Sequence, residues 1–207
     1  KIEDIEFIKG DIIDDSIKKA FEDCDVVIHL AAAVGVKITE EDPILTLNTN
    51  ILGTKNVLEA CKSNNVKKII LASSSEVYGE PLKTPIEESD PAIPITGYGV
   101  SKIAAEEYVK AYAVNFGLKY TILRFFNVYG PGQSKDFVIP EFVNNASKNN
   151  PILIHGSGSQ IRSFCHISDI SKGVSLSIEK GDNEIINIGN ANEPITISEL
   201  AKKIIGI

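Results

Sequence analysis

Apolar runs of strand length alternate with segments of helical period from one end of this chain to the other, and that alternation constrains the fold most. The clearest run is Asp25-Val26-Val27-Ile28-His29-Leu30-Ala31, almost without polar interruption. A strand of that kind is buried on both faces, as in parallel sheets. Residues 5–8, Lys68-Ile69-Ile70-Leu71-Ala72 and Tyr120-Thr121-Ile122-Leu123-Arg124 repeat the pattern. Helices are expected between them over residues 16–22, 44–64 and 98–116. In the second, Ile51, Thr54, Leu58 and Cys61 share a face; in the third the expected buried stripe is Val100, Ala104, Tyr108, Tyr112 and Phe116. Strands alternating with helices predict an α/β fold, a mainly parallel sheet with helices on both faces.

Beyond residue 132 the units become smaller: a helix over 138–148, a strand over 152–155, a polar turn at 156–160, a helix over 168–178 and a strand over 184–188. Thr196-Ile197-Ser198-Glu199 is a capping box that opens a last helix. The expected organisation is a sheet domain over 1–132 and a smaller portion over 133–207, interleaved with the last sheet strands.

Composition excludes several classes of function. A net charge of −7, with no basic stripe, argues against nucleic-acid binding. No apolar run has membrane-spanning length and no signal peptide opens the chain, so a cytoplasmic protein without membrane association is expected. Cys24, Cys61 and Cys165 are scattered and form no metal-binding pattern, so no metal is expected. Only Arg124 and Arg162 among the 21 basic residues are arginine, which marks positions that need a planar, bidentate cation. Methionine is absent even from position 1, so the sequence reads as a piece of a longer protein.

In open parallel sheets, ligands bind beyond the carboxyl ends of the strands. Four glycine-rich or polar clusters are expected at that edge: Gly10-Asp11, residues 31–35, 73–76 and 125–132. Next to them in sequence, Tyr98-x-x-x-Lys102 places a phenol and an ammonium on one helix face. A cation so placed can lower the phenol's pKa and make it a usable base at neutral pH. Taken alone, the same spacing describes an aromatic ring covering a lysine stem. His29 reads as a hydrogen-bonded core histidine, Asn50 as a structural bridge, and Arg124 as an ion-pair partner or a ligand residue.

The chain resembles the extended short-chain dehydrogenase/reductase family, in particular its NAD-dependent nucleotide-sugar epimerases and dehydratases. The resemblance rests on Gly10-Asp11-Ile12, His29-Leu30-Ala31-Ala32, Asn50 with Gly53-Thr54, residues 73–79 (Ser-Ser-Ser-Glu-Val-Tyr-Gly), Tyr98-x-x-x-Lys102, residues 124–131 (Arg-Phe-Phe-Asn-Val-Tyr-Gly-Pro), and Gln160-x-Arg162-Ser163-Phe164 followed by Asp169. It implies a Rossmann-like doubly wound parallel sheet that lacks its first β-α-β unit, the unit that carries the glycine-rich pyrophosphate loop. It also implies that Asp11 and Ile12 lie beside the adenine of NAD and that Leu30, Ala31 and Ala32 lie along the dinucleotide. Lys102 would bind the nicotinamide ribose and hold Tyr98 at low pKa; Tyr98 would be the general base, with Ser74 on the same substrate oxygen. Phe126 would wall the cofactor, and Asn127 and Arg162 would hold the diphosphate of a UDP-hexose. The implied activity is a nucleotide-sugar 4-epimerase of the UDP-glucose/UDP-galactose type, working through a transient 4-keto sugar as a homodimer. Glu76 keeps open a 4,6-dehydratase or UDP-glucuronate decarboxylase. A non-catalytic nucleotide-binding fragment is the alternative of another class.

Overall fold

The computed structural model describes residues 5–207. Its centre is a four-stranded, wholly parallel sheet in the order β1 (Val26–His29), β2 (Lys68–Ser74), β3 (Lys119–Phe125) and β7 (Glu184–Ile188). Register is continuous across it: Ile28 lies beside Ile70, Leu71 beside Ile122, and Leu123 beside Ile186. Ile69, Leu71 and Ile122 turn to one face, where α3 (Gly53–Ser63) and α4 (Gly97–Phe116) cover them with Leu58, Cys61 and Val109. Ile70 and Leu123 alternate to the other face, where α6 (Ile167–Glu179) packs on β2 and β3. Ile28 shares that second face but lies near its margin and is 40% exposed.

The segment from residue 43 to 63 runs as α2 (Pro43–Leu47), a π-helical turn (Asn48–Leu52) and α3, following the short α1 (Val36–Glu41). In the π turn the Gly53 N–H reaches back to the Asn48 carbonyl, one residue further than in an α-helix.

The C-terminal part adds β4 (Val128–Tyr129) beside β6 (Cys165–His166), and an antiparallel pair of β5 (Ile161–Ser163) and β8 (Pro194–Thr196). A second apolar cluster forms where α5 (Val138–Ser147) meets α7 (Ile197–Ile205), around Phe142, Leu200 and Ala201. The capping box at Thr196 is present, with the Glu199 N–H on the Thr196 hydroxyl at 3.1 Å and the Thr196 N–H on the Glu199 carboxylate at 3.0 Å.

Three expectations are corrected. Residues 5–8 form no strand: Phe7 is 87% exposed and no strand among the described residues pairs with the segment. The Gly10-Asp11 cluster therefore follows no described strand, and three clusters, not four, extend from strand ends. Residues 152–155 are not a strand either, because Ile152 and Ile154 pack into the second cluster without a ladder partner. The buried face of α4 is only in part the expected stripe: Tyr112 is buried and Tyr108 packs against the first cluster, but Val100 and Phe116 are exposed, while Ser101, Lys102, Ala105, Glu106 and Val109 are buried. Among the described residues, no helix is long and apolar enough to cross a membrane.

Candidate active site

The carboxyl end of β2 meets the first turns of α4, and two backbone devices fix that junction. Thr96 caps α4, its hydroxyl accepting the Gly99 N–H at 3.0 Å. Gly99 then lets the helix touch the 3-10 turn Ser75–Tyr78: a Cβ there would stand 2.6 Å from the Glu76 carbonyl oxygen. Tyr98 is thereby held against the turn that carries Glu76. Ser74 caps that turn by accepting the Glu76 N–H at 3.2 Å, and its hydroxyl lies within hydrogen-bonding reach of the Tyr98 phenol. Lys102 is buried one helical turn on, donating from Nζ to the Ala72 carbonyl at 2.9 Å and lying 5.6 Å from the centroid of the Tyr98 ring. Ser74, Glu76, Tyr98 and Lys102 are thus brought together.

The electrostatics correct the expectation of a low-pKa phenol. Burial pushes Tyr98 up to about 12; the Ser74 hydrogen bond lowers it, and the Glu76 charge raises it further. Lys102 Nζ, 5.6 Å from the centroid of the Tyr98 ring, donates to the Ala72 carbonyl. Burial brings Lys102 itself down to about 8, against the attraction of Glu106. His29, buried and close enough to feel Lys102, falls to about 4. Its Nε2 is 3.0 Å from the Thr54 hydroxyl, which donates to the Asn50 carbonyl at 2.6 Å. The Thr54 proton being used there, His29 is the donor, a neutral core histidine as the sequence indicates.

Leu30, Ala31 and Ala32 leave the end of β1 as an open, small-residue segment in which Leu30 is 58% exposed. Asn50 anchors it: the side chain accepts the Ala33 N–H at 2.7 Å and donates to the Ala33 carbonyl at 3.1 Å and to Ser101 Oγ at 2.9 Å. Ser101 in turn donates to the Tyr98 carbonyl at 2.7 Å. The segment and the first turn of α4 therefore form one hydrogen-bonded unit. Nothing in the sequence pattern links Asn50, in the π turn, to Ser101 on α4, 51 positions away.

These groups fit one side of a dinucleotide. A strip with little side-chain bulk leads to a buried ammonium that has three N–H donors, of which one meets Ala72. Asp11 and Ile12 fit less directly: Asp11 accepts the Ile13 N–H at 3.0 Å, and the Ile12 side chain packs against Gly53. Phe126 is half-buried against Gly189 and Tyr78. Asn127, in the left-handed region at φ 33°, donates to the Ser163 carbonyl at 3.2 Å, which places it beside β5. Arg162 is exposed on β5 and donates to its neighbouring Ile161 carbonyl at 2.9 Å. The other arginine, Arg124, is buried in a bidentate pair with Glu106, 2.7 and 3.0 Å.

Relatives share this arrangement of chain. A family model described as the NAD dependent epimerase/dehydratase family matches residues 1–189. A putative UDP-glucose 4-epimerase of Methanocaldococcus jannaschii is 39% identical over 201 residues, covering 94% of this chain and 65% of that protein. A dTDP-D-glucose 4,6-dehydratase of Dictyostelium discoideum is 36% identical over 217 residues, covering 97% of this chain and 50% of that protein. The chain therefore spans between half and two-thirds of the length of these curated relatives. Among solved structures, the UDP-glucose 4-epimerase of Thermotoga maritima with UDP-glucose superposes with a TM-score of 0.92 at 33% identity, over 99% of this chain and 70% of that one. With its parallel sheet, its Tyr98–Lys102 helix and a family match over most of its length, this chain belongs to the NAD dependent epimerase/dehydratase family.

Proposed function

We propose that this chain carries the proton-transfer centre of a nucleotide-sugar 4-epimerase of the UDP-glucose/UDP-galactose type that uses NAD. The observation that carries the reading is the meeting of Ser74, Tyr98 and Lys102 at the carboxyl end of β2. Ser74 and Tyr98 would hold the 4-hydroxyl of the sugar between them, and Tyr98 would take its proton as the 4-keto sugar forms and return it afterwards. At neutral pH Tyr98 keeps its proton in this structure, so base action requires positive charge beside the phenol. The Lys102 ammonium is the chain's own source of that charge. Lys102 would bind the ribose of NAD, Leu30, Ala31 and Ala32 would line the dinucleotide with Asp11 and Ile12 toward its adenine end, and Phe126 would close one wall. When bound, NAD supplies the acceptor and donor for hydride at the sugar carbon. Asn127 and Arg162 would hold the diphosphate.

The same reading assigns cofactor binding to residues 1–132 and most substrate contacts to 133–207. It includes a homodimer formed through the helices that carry Ile51 and Tyr108, and a cytoplasmic location.

A second reading has a specific observation behind it. Glu76 is close enough to Tyr98 to raise its pKa, which supplies a second acid/base group such as a 4,6-dehydratase or a UDP-glucuronate decarboxylase needs. Against a non-catalytic nucleotide-binding role stands the retention of Ser74, Tyr98 and Lys102 together.

Product analysis decides among these. The full-length protein is incubated with NAD and, separately, UDP-galactose, dTDP-glucose and UDP-glucuronate. UDP-glucose from the first is the expected result; a 4-keto-6-deoxy sugar from the second or carbon dioxide from the third selects the second reading.

A further inference from the structure

Tyr98, Lys102 and Glu106 stand at successive turns on one face of α4, and each meets one of three consecutive residues at the end of β2. Tyr98 lies against Ser74, Lys102 Nζ donates to the Ala72 carbonyl at 2.9 Å, and Glu106 Oε1 accepts the Ser73 hydroxyl at 2.5 Å. The proposed chemistry uses the first two rungs of this ladder and not the third. Yet the third is the most deeply buried: Glu106 is 0% exposed, and Ser73 and Arg124 are buried with it.

The carboxylate is fully engaged. Arg124 donates from Nε to Oε1 at 3.0 Å and from NH2 to Oε2 at 2.7 Å, while its NH1 donates to the Tyr78 hydroxyl at 2.8 Å. Tyr78 continues to Asn187 Oδ1 at 2.8 Å, at the end of β7. One network thus ties α4, β2, β3, β7 and the turn after Ser74. Glu106 is also the anion set between two buried cations, Lys102 and Arg124. Removing one partner of such a set leaves an uncompensated charge in a medium that tolerates it poorly.

We propose that Glu106 and Arg124 are positioning residues of the Tyr98–Lys102 site: through Ser73 the pair fixes where Ser74 stands, and the Glu106 carboxylate is the counter-charge that keeps the Lys102 side chain an ammonium. The inference rests on the functional reading above, in that Lys102 is taken to bind NAD as a cation. The groups that face Lys102 are few. Tyr98 and Glu106 lie on its own helix, His29 on β1 is neutral, and β2 contributes only the Ala72 carbonyl. Arg124 of β3 stands behind Glu106, and Glu76 acts on Tyr98. Of these, Glu106 is the anion acting on Lys102, and it favours the protonated form.

The test is the affinity of the full-length protein for NAD, measured by calorimetry across neutral and alkaline pH. In the wild type the affinity is expected to fall as pH rises past about 8, where Lys102 loses its proton. Glu106→Gln is expected to move that fall to lower pH, because the charge that favours the ammonium is gone. Glu106→Asp keeps the charge and should leave the fall where the wild type has it, even if the protein melts earlier. A merely structural Glu106 predicts lower melting temperatures in both variants and an unmoved fall, and that result overturns the inference, as does a wild-type affinity flat with pH. A wild type that binds no NAD at all sinks the functional reading instead. If Glu106→Gln does not accumulate in folded form, Ser73→Ala decides, since it removes one hydrogen bond and leaves the ion pair. A kcat reduced on the order of tenfold or more at unchanged KM supports the positioning role, and an unchanged kcat overturns it.

Discussion

Burial acts on Tyr98 and His29 in the same sense, against the charged form. For Tyr98 the result is a phenol that is neutral at physiological pH, with Ser74 as its hydrogen-bonding neighbour. Tyr98→Phe removes the proposed proton carrier with little change in the volume of the site. It is expected to lower kcat of the full-length protein by about 10²- to 10⁴-fold with little change in KM, read by steady-state kinetics. For His29 the consequence is on stability. Its folded-state pKa of about 4 lies below the ordinary 6.5, so the unfolded chain takes up the proton first as pH falls. Stability contributed by neutral His29 is therefore complete above pH 6.5, declines below it, and is lost once pH falls through about 4. The full loss is on the order of 3 kcal/mol. Denaturant unfolding at neutral pH and at pH 5 should show the decline in the wild type and much less of it in His29→Gln.

At the scale of elements, the junction between the Ser75–Tyr78 turn and α4 has the least room. Gly99→Ala would set a Cβ 2.6 Å from the Glu76 carbonyl oxygen and 2.9 Å from Pro94 Cβ. The backbone must shift, which moves Tyr98 and Glu76 apart. A cost of about 1–3 kcal/mol is expected, a drop in melting temperature of roughly 2–4 °C for each kcal/mol at this chain length, with kcat falling alongside it. The same element shows what the sequence can and cannot convey. The extent of α4 is legible from Thr96 and Gly117, the cap and the left-handed stop, and from the helical period between them. Its buried face is legible only in part, at Tyr108 and Tyr112, because apolar periodicity assumes that the core is apolar. Here Ser101, Lys102 and Glu106 are buried in hydrogen bonds and ion pairs, and Val100 and Phe116 are left outside. Glu106 did leave one trace, its i+4 spacing from Lys102. The β5–β8 pair left none, since three-residue strands are too short to show alternation.

Across the whole molecule there are two apolar clusters, one packed on the parallel sheet and one where α5 meets α7. The α/β alternation was enough to read β1, β2, β3 and β7 as strands and the sheet as mainly parallel, because a strand covered on both faces is a nearly continuous apolar run; their order in the sheet was not legible. It failed where a segment with the same composition has no ladder, as at residues 152–155. The second cluster offers a way to test the division of labour between the two parts of the chain. Phe142→Ala should cost roughly 3–5 kcal/mol within that cluster, weakening nucleotide-sugar affinity while NAD affinity stays near the wild-type value, both read by calorimetry. The link between the proposed cofactor strip and the Tyr98 site is narrower. It runs from the open strip after β1 through Asn50, which lies within the π turn, and Ser101 to Tyr98. A turn defined by the number of residues between its hydrogen-bonded partners is sensitive to chain length as well as to side chains: a three-base deletion that removes one residue from 48–52 is expected to shift Asn50 away from Ala33 and Ser101 in one step.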